Sequence, residues 1–394
     1  MTKQEFLNRY LVERKGTDSL KWDALGERFG QDDLLAMWVA DMEFKTCDSI
    51  TEALKRRVEH GVYGYSCASD AYYQAYADWM ERRHHCETDR SWIRFASGCV
   101  AAITYVIQVF TQLGDACLIL TPVYYPFHNE VKDNGRRLVE VDLEARDGRF
   151  TMNYEAIEKA IAENHVKLFL LCSPHNPAGR VWSEEELNQV LDICRRYNAL
   201  VCSDEIHQDF TFGGKTFTPA LMVGDGKYRD RLITVNSASK TFNLASLLHA
   251  QLIISDERLR ATYDREIRGR NQTELSIMGL TAAQAGYEGG EEWLEALKGV
   301  IRDNYQYLKT EMNKKLPEAV VYSMEGTYLP LVDLRAYVKP GGMKAFIQRK
   351  CRLAVDYGEW FGKNFRGFIR LNMATDPALV REAVVRIVRH SAES

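Results

Sequence analysis

The chain predicts an α/β protein built on a mainly parallel sheet, and three observations predict it. Strand-length apolar runs recur through its middle, helix-period segments separate them, and three successive runs end on an amide, a carboxylate and an amine. Functional groups gathered beyond strand ends are the signature of an open α/β sheet that binds a ligand there.

The elements follow in order. A helix is predicted over 48–60, where Ile50, Ala53, Leu54 and Val58 share one face. Strand-like runs lie at 116–120, 137–141, 167–172, 199–203, 231–235 and 249–254. Between them falls a helix over 183–197, where Ser183 and Glu186 form a capping-box pattern ahead of Leu187, Val190, Leu191 and Cys194. From about residue 290 the pattern changes. A helix, the strand-like Val320 to Ser323, EGTYLPLVDLR, another helix, GFIRLNMA and a final helix read as a second, smaller α/β unit.

With 394 residues and 46% apolar content, the chain can bury a large core in two or three domains. Its net charge of −4 and scattered Lys and Arg leave no footprint for a nucleic-acid partner. No apolar run reaches membrane-spanning length, and MTKQEFLNRY lacks a signal-peptide pattern, so a cytoplasmic address is expected. Nine cysteines without a CxxC pair or a Cys/His cluster predict neither a disulfide framework nor a metal site. They should be reduced core residues, with Cys99 set apart by its place in a glycine turn.

The three strand ends carry the chemistry. Leu168 to Cys172 leads into SPHNPAGRVW, where Asn176 stands between two prolines. Ala199 to Cys202 leads to Asp204, and Leu232 to Val235 leads through Asn236, Ser237, Ala238 and Ser239 to Lys240, 36 residues after Asp204. A lysine placed before the apolar Phe242 and Leu244 is partly desolvated, which lowers its pKa and makes its amine a nucleophile and proton shuttle. This is the inventory that pyridoxal 5'-phosphate (PLP) needs: a donor for the ring oxygen, an anion for the ring nitrogen and an amine for the aldehyde. Its phosphate needs N–H groups at a helix start, and Gly98, Cys99 and Val100 open an apolar helix in ASGCVAAITYVIQVF. Arg370, between Phe368 and Asn372, is an arginine in apolar company that requires an anion, either a buried carboxylate of the chain or an α-carboxylate, which its fork fits bidentately.

Two other motifs are incomplete. SASK satisfies SxxK but has no SDN or KTG companion, and GGKT at Gly213 to Thr216 has Asp209 where a phosphate loop needs its first glycine.

On RKGTDSLKWD, MWVADMEFKT, VYGYS, TPVYYPF, SPHNPAGRVW, SDEIHQD, SASKTFNL, EGTYL and GFIRLNMA, the chain resembles the fold type I PLP enzymes of the aspartate-aminotransferase kind, and within them the MalY/PatB family of cystathionine β-lyases. The resemblance spans nearly the whole chain. It implies a large PLP-binding domain over 48–288 with a mainly parallel seven-stranded sheet between helices, and a small C-terminal domain over 289–394. The N-terminal segment 1–47 is expected to pack with the small domain, and the active site to lie between the domains.

The same resemblance makes Lys240 and Tyr124 catalytic, with the Tyr124 ring on the cofactor face and Tyr125 its neighbouring competitor. It places His207 in the ring-binding network, and Ser237 and Ser239 at the phosphate. It sends Tyr65 across a homodimer interface to a shared active site. Arg370, the backbone of Val39 and Ala40, and Asn176 would hold the α-carboxylate of a small amino-acid substrate. Leu248 stands where many relatives have an arginine for the phosphate, eight residues after the lysine. The implied reaction is β-elimination from an S-substituted L-cysteine such as cystathionine, giving a thiol, pyruvate and ammonia. An aminotransferase of class I/II type is the alternative, since the same residues serve both, and a protein-binding regulator is a second. Ser246 and Pro330 depart from the usual residues and leave the identity of the thiol open.

Overall fold

The computed structural model describes residues 1–391 apart from 271, 273 and 274. Its main sheet contains β1 (Ile93–Ala96), β2 (Ala116–Thr121), β3 (Arg137–Asp142), β4 (Leu168–Cys172), β5 (Leu200–Asp204), β6 (Leu232–Asn236) and β7 (Ala250–Ile253). The order across the sheet is β1-β7-β6-β5-β4-β2-β3. Only β7 runs against its neighbours; the other pairings are parallel. β2 and β4 are buried along their whole length, as continuous apolar runs must be when helices cover both faces of a sheet.

Six strands lie within a residue or two of the predicted runs. β1 was not predicted, because IRFA is short and its Arg94 breaks the apolar pattern, here by pairing with Asp264. The helix over Asp48–His60 forms as expected, burying Ile50 and Ala53. Val58, placed on the same face, is instead 55% exposed: it lies in the last turn before the left-handed cap at Gly61. Eight of the nine cysteines are buried free thiols, and Cys67 is exposed.

The strand ends are what position the site. Parallel register sets Cys172 beside Asp204 and Asp204 beside Val235, so the segments leaving β4, β5 and β6 emerge at one edge. Backbone bonds from Ser173 N to Asp204 O (2.9 Å) and from Glu205 N to Val235 O (2.7 Å) extend the ladder past the strands.

A second sheet takes the order β8-β9-β11-β10, from β8 (Val320–Val321), β9 (Leu331–Asp333), β10 (Asp356–Tyr357) and β11 (Phe368–Arg370). The N-terminal segment is stitched to this part of the chain. Leu35 and Ala36 pair in parallel with Leu353 and Ala354, and Asn372 N donates to Met37 O. The KWD and WVADM motifs lock together: buried Lys21 pairs with Glu43 at 2.9 Å, and Trp38 Nε1 donates to Lys21 O. That brace holds residues 39–41 over the edge where the strands end.

Candidate active site

Val39 is β-branched yet has φ of +44°, a left-handed conformation costing roughly 1–2 kcal/mol. Surrounding amides hold it there. Asn372 Nδ2 donates to Val39 O (2.8 Å) and Asp41 O (2.7 Å), and Asn243 Nδ2 donates to Met42 O and Phe44 O. The turn presents Ala40 O to two donors, Lys240 Nζ at 2.7 Å and Tyr328 Oη at 2.9 Å.

Lys240 sits in a short helical turn, Ala238–Thr241, begun by Ser237 at the end of β6. Burial lowers its amine below the ordinary lysine value; Arg370 adds to the fall, while Asp41 opposes it. The buried Asp204 carboxylate accepts from Ile206 N (3.1 Å), and burial pushes its pKa up to about 6 against the pull of that bond and of Lys240. A buried carboxylate so poorly supplied with donors is set to receive a cationic N–H.

Asn176 and Arg370 meet as expected: Arg370 Nη1 donates to Asn176 Oδ1 at 3.0 Å. The guanidinium also pairs with Asp356 and lies 4.9 Å from the centre of the Phe361 ring. Tyr124 N donates to Asn176 O, which ties the TPVYYPF segment to the same edge. Burial raises both the Tyr124 and Tyr125 phenols, but only Tyr124 also feels Asp204. Their rings are 5.2 Å apart.

At the start of the helix Cys99–Phe110, a methyl group added to Gly98 would meet no atom within 4 Å, so room for an anion exists beside the first N–H groups. Burial lifts the Cys99 thiol well above its ordinary value, which removes it as a nucleophile. The Ser237 hydroxyl donates to His249 O (2.5 Å) and accepts from Ser239 N (3.0 Å), which braces the turn that carries Lys240.

The His207 ring packs edge-on against Tyr328 at 5.8 Å, and its buried Nδ1 has no hydrogen-bond partner among the described residues. Burial and the nearby Lys240 and Arg370 keep it neutral. His175 is structural, with Nε2 2.9 Å from Pro122 O. Tyr65 is fully exposed.

Three contributors were not singled out from sequence: Tyr328, Asn372 and Asp356. A signal existed for Asn372, since residues 370 and 372 share a face in extended chain. Tyr328 and Asp356 gave none, because their partners are 288 and 14 residues away.

Glu205, next to Asp204, is buried, accepts from Ser203 Oγ (3.0 Å) and Ala220 N (2.9 Å), and has its pKa pushed up by burial to about 8. The folded state therefore holds a proton that the unfolded chain, at about 4.5, releases. This contribution is complete below pH 4.5 and is lost as pH rises toward 8. The stability difference between Glu205→Gln and the unaltered protein should shift in favour of the variant by roughly 1–2 kcal/mol between pH 6.5 and 8, measured by urea unfolding. A pH-independent difference would show that Glu205 is already ionised at pH 6.5.

The residues fit PLP: underpartnered Asp204 for the ring nitrogen, the Lys240 amine, the open Gly98 cradle, and the Asn176 NH₂ without a partner among the described residues. Comparison with known proteins agrees. The family model for aminotransferase class I and II matches residues 33–387. Cystathionine beta-lyase PatB of Bacillus subtilis is 35% identical over 95% of this chain and 97% of its own. A PLP-bound putative aminotransferase from Clostridium difficile superposes with a TM-score of 0.93 at 34% identity, covering 97% of this chain and 99% of its own. A PLP-bound C-S lyase from Staphylococcus hominis gives 0.90 at 30% identity, with 96% of each chain covered. With the strand-end constellation, the matched motifs and this likeness over nearly the full length, the chain belongs to the aminotransferase class I and II family, in its MalY/PatB branch.

Proposed function

We propose that the protein is a PLP-dependent carbon–sulfur β-lyase that converts L-cystathionine or related S-substituted L-cysteines to a thiol, pyruvate and ammonia. The observation that carries this reading is the meeting of the Lys240 amine, the Asp204 carboxylate and the Arg370–Asn176 pair at one sheet edge. The relatives named as a cystathionine β-lyase and a C-S lyase support the choice of reaction.

When bound, the cofactor supplies an electron sink for the substrate carbon. The chain's residues then have separable tasks. Asp204 would hold a protonated ring nitrogen, and Tyr124, whose phenol feels Asp204, would pack against the ring. Gly98, Cys99, Val100 and Ser239 would hold the phosphate, and Ser237 braces that turn by accepting from Ser239 N while it donates to His249 O. Arg370 and the Asn176 NH₂ grip the α-carboxylate beside the Val39–Ala40 turn. Lys240 Nζ, with its pKa lowered by burial, would take the Cα proton and return it to the departing sulfur. His207, kept neutral by burial, supports the pocket through Tyr328.

The assembly we propose is a two-fold homodimer in which Tyr65 reaches the neighbouring phosphate; its complete exposure in one chain supports this. Sedimentation at assay concentration should find no active monomer, and Tyr65→Phe should weaken cofactor retention. Residues 1–47 and 289–394 would act as one body against 48–288, supported by the Leu35–Leu353 pairing. The free thiols support a reducing, cytoplasmic address.

Transamination is the second reading, favoured by the solved relative described as a putative aminotransferase. One assay separates the two. The PLP-loaded protein should release pyruvate and ammonia equally from cystathionine, cysteine, cystine or S-methylcysteine, with a thiol from the S-substituted substrates, and should turn over an amino-acid/2-oxo-acid pair little. Stoichiometric pyridoxamine phosphate with turnover that depends on the 2-oxo acid, and no thiol from any substrate, would replace the lyase reading by the aminotransferase one.

A further inference from the structure

Arg370 is not a free cation waiting for a substrate. Asp356 stands directly opposite it in the antiparallel β10–β11 pair, and the two side chains form an ion pair in which each is only about 2% exposed. Among the described residues Asp356 is the one carboxylate paired with this guanidinium. Asn176 Oδ1 takes a second N–H and Phe361 lies against the group, which leaves three of its five N–H donors. The guanidinium is thus oriented by three neighbours while its charge is balanced by one.

We propose that Asp356 is a positioning residue that sets the strength of the carboxylate grip. It keeps Arg370 charge-balanced, so a substrate carboxylate must share the guanidinium with a resident one. The inference rests on the assignment of Arg370 to the substrate carboxylate.

The physical argument is electrostatic. A buried guanidinium with no internal anion attracts any carboxylate strongly, because little water screens it. Such a site would hold a carboxylate product such as pyruvate as well as it holds substrate, and binding that is equally strong before and after reaction does not raise turnover. With Asp356 in place, an incoming carboxylate meets a neutral pair: hydrogen bonds to the remaining N–H groups fix its direction, and the second anion limits its affinity. The field of Asp356 also extends into the cleft, where it is felt by both Tyr124 and Tyr125.

This account predicts a direction that simple structural damage does not produce. Asp356→Asn keeps the shape of the side chain and an oxygen to accept from Arg370, yet removes the charge; Asp356→Ser removes the charge with a smaller group and serves if the first variant folds poorly. The probes are 3-(methylthio)propanoate, which has the carboxylate and thioether but no amine, and its uncharged amide, 3-(methylthio)propanamide. Each is titrated calorimetrically into the PLP-loaded protein, with thermal unfolding followed alongside. The acid should bind the folded variants roughly tenfold more tightly than it binds the unaltered protein, while the amide is unchanged. An acid affinity that is unchanged or weaker overturns the proposal. Equal affinity of the unaltered protein for acid and amide would instead remove the assignment of Arg370, and the proposal with it. Neither readout depends on turnover, so the reaction assigned above is tested separately.

Discussion

Lys240→Ala should lower pyruvate release from L-cystathionine by at least about a thousandfold, because it removes both the amine that anchors the cofactor and the group that moves the Cα proton. Stability should change little by comparison. The amine makes one hydrogen bond, to Ala40 O, and taking a partly desolvated charge away offsets the loss of that bond. The loaded protein should absorb in the visible region, and borohydride should fix the pyridoxyl group on the peptide that contains Lys240. A label on any other lysine would sink the assignment, whatever the variant's activity.

Arg370→Ala should reduce kcat/KM by roughly 2–5 kcal/mol, with KM raised and kcat lowered together, since the α-carboxylate loses both its charge partner and its orientation. Here stability should fall as well. The substitution leaves Asp356 buried without its cation, a loss of about 3–5 kcal/mol when one member of a buried pair is removed. Urea unfolding of the variant checks this half, and steady-state kinetics the other. Arg370→Lys separates them: it keeps a positive charge for Asp356 but loses the planar fork that also reaches Asn176. It should recover much of the stability and little of the activity. Full activity in the lysine variant would mean that bidentate geometry is unimportant at this position.

The parallel sheet was legible because β2, β4, β5 and β6 are apolar from end to end, and an unbroken apolar run followed by small or polar residues announces a buried strand and the loop after it. β1 escaped because an edge strand need satisfy only one side, and Arg94 is accommodated there by an ion pair. Val58 was misplaced because helical period predicts a face but not where the neighbouring element stops covering it.

Lys240, Asp204, Asn176 and Arg370 stand out in the sequence for a related reason: each is a polar group set beside an apolar run. What the sequence does not show is how His207 and Ser237 are held: the His207 ring lies against Tyr328, and the Ser237 hydroxyl donates to His249 O.

By itself, then, the sequence determined the α/β class, the strand ends that carry an amide, a carboxylate and an amine, and the family motifs that name a cofactor, because all of these are written in contiguous residues. Only the tertiary structure decided that Val39 is held in a left-handed turn so that Ala40 O receives Lys240 and Tyr328, and that Asp356 balances Arg370. Those features come from contacts between segments up to 333 residues apart, as between Asn372 and Val39. Burial then sets the protonation of Asp204, Glu205 and Lys240, and burial belongs to the folded chain as a whole rather than to any stretch of it.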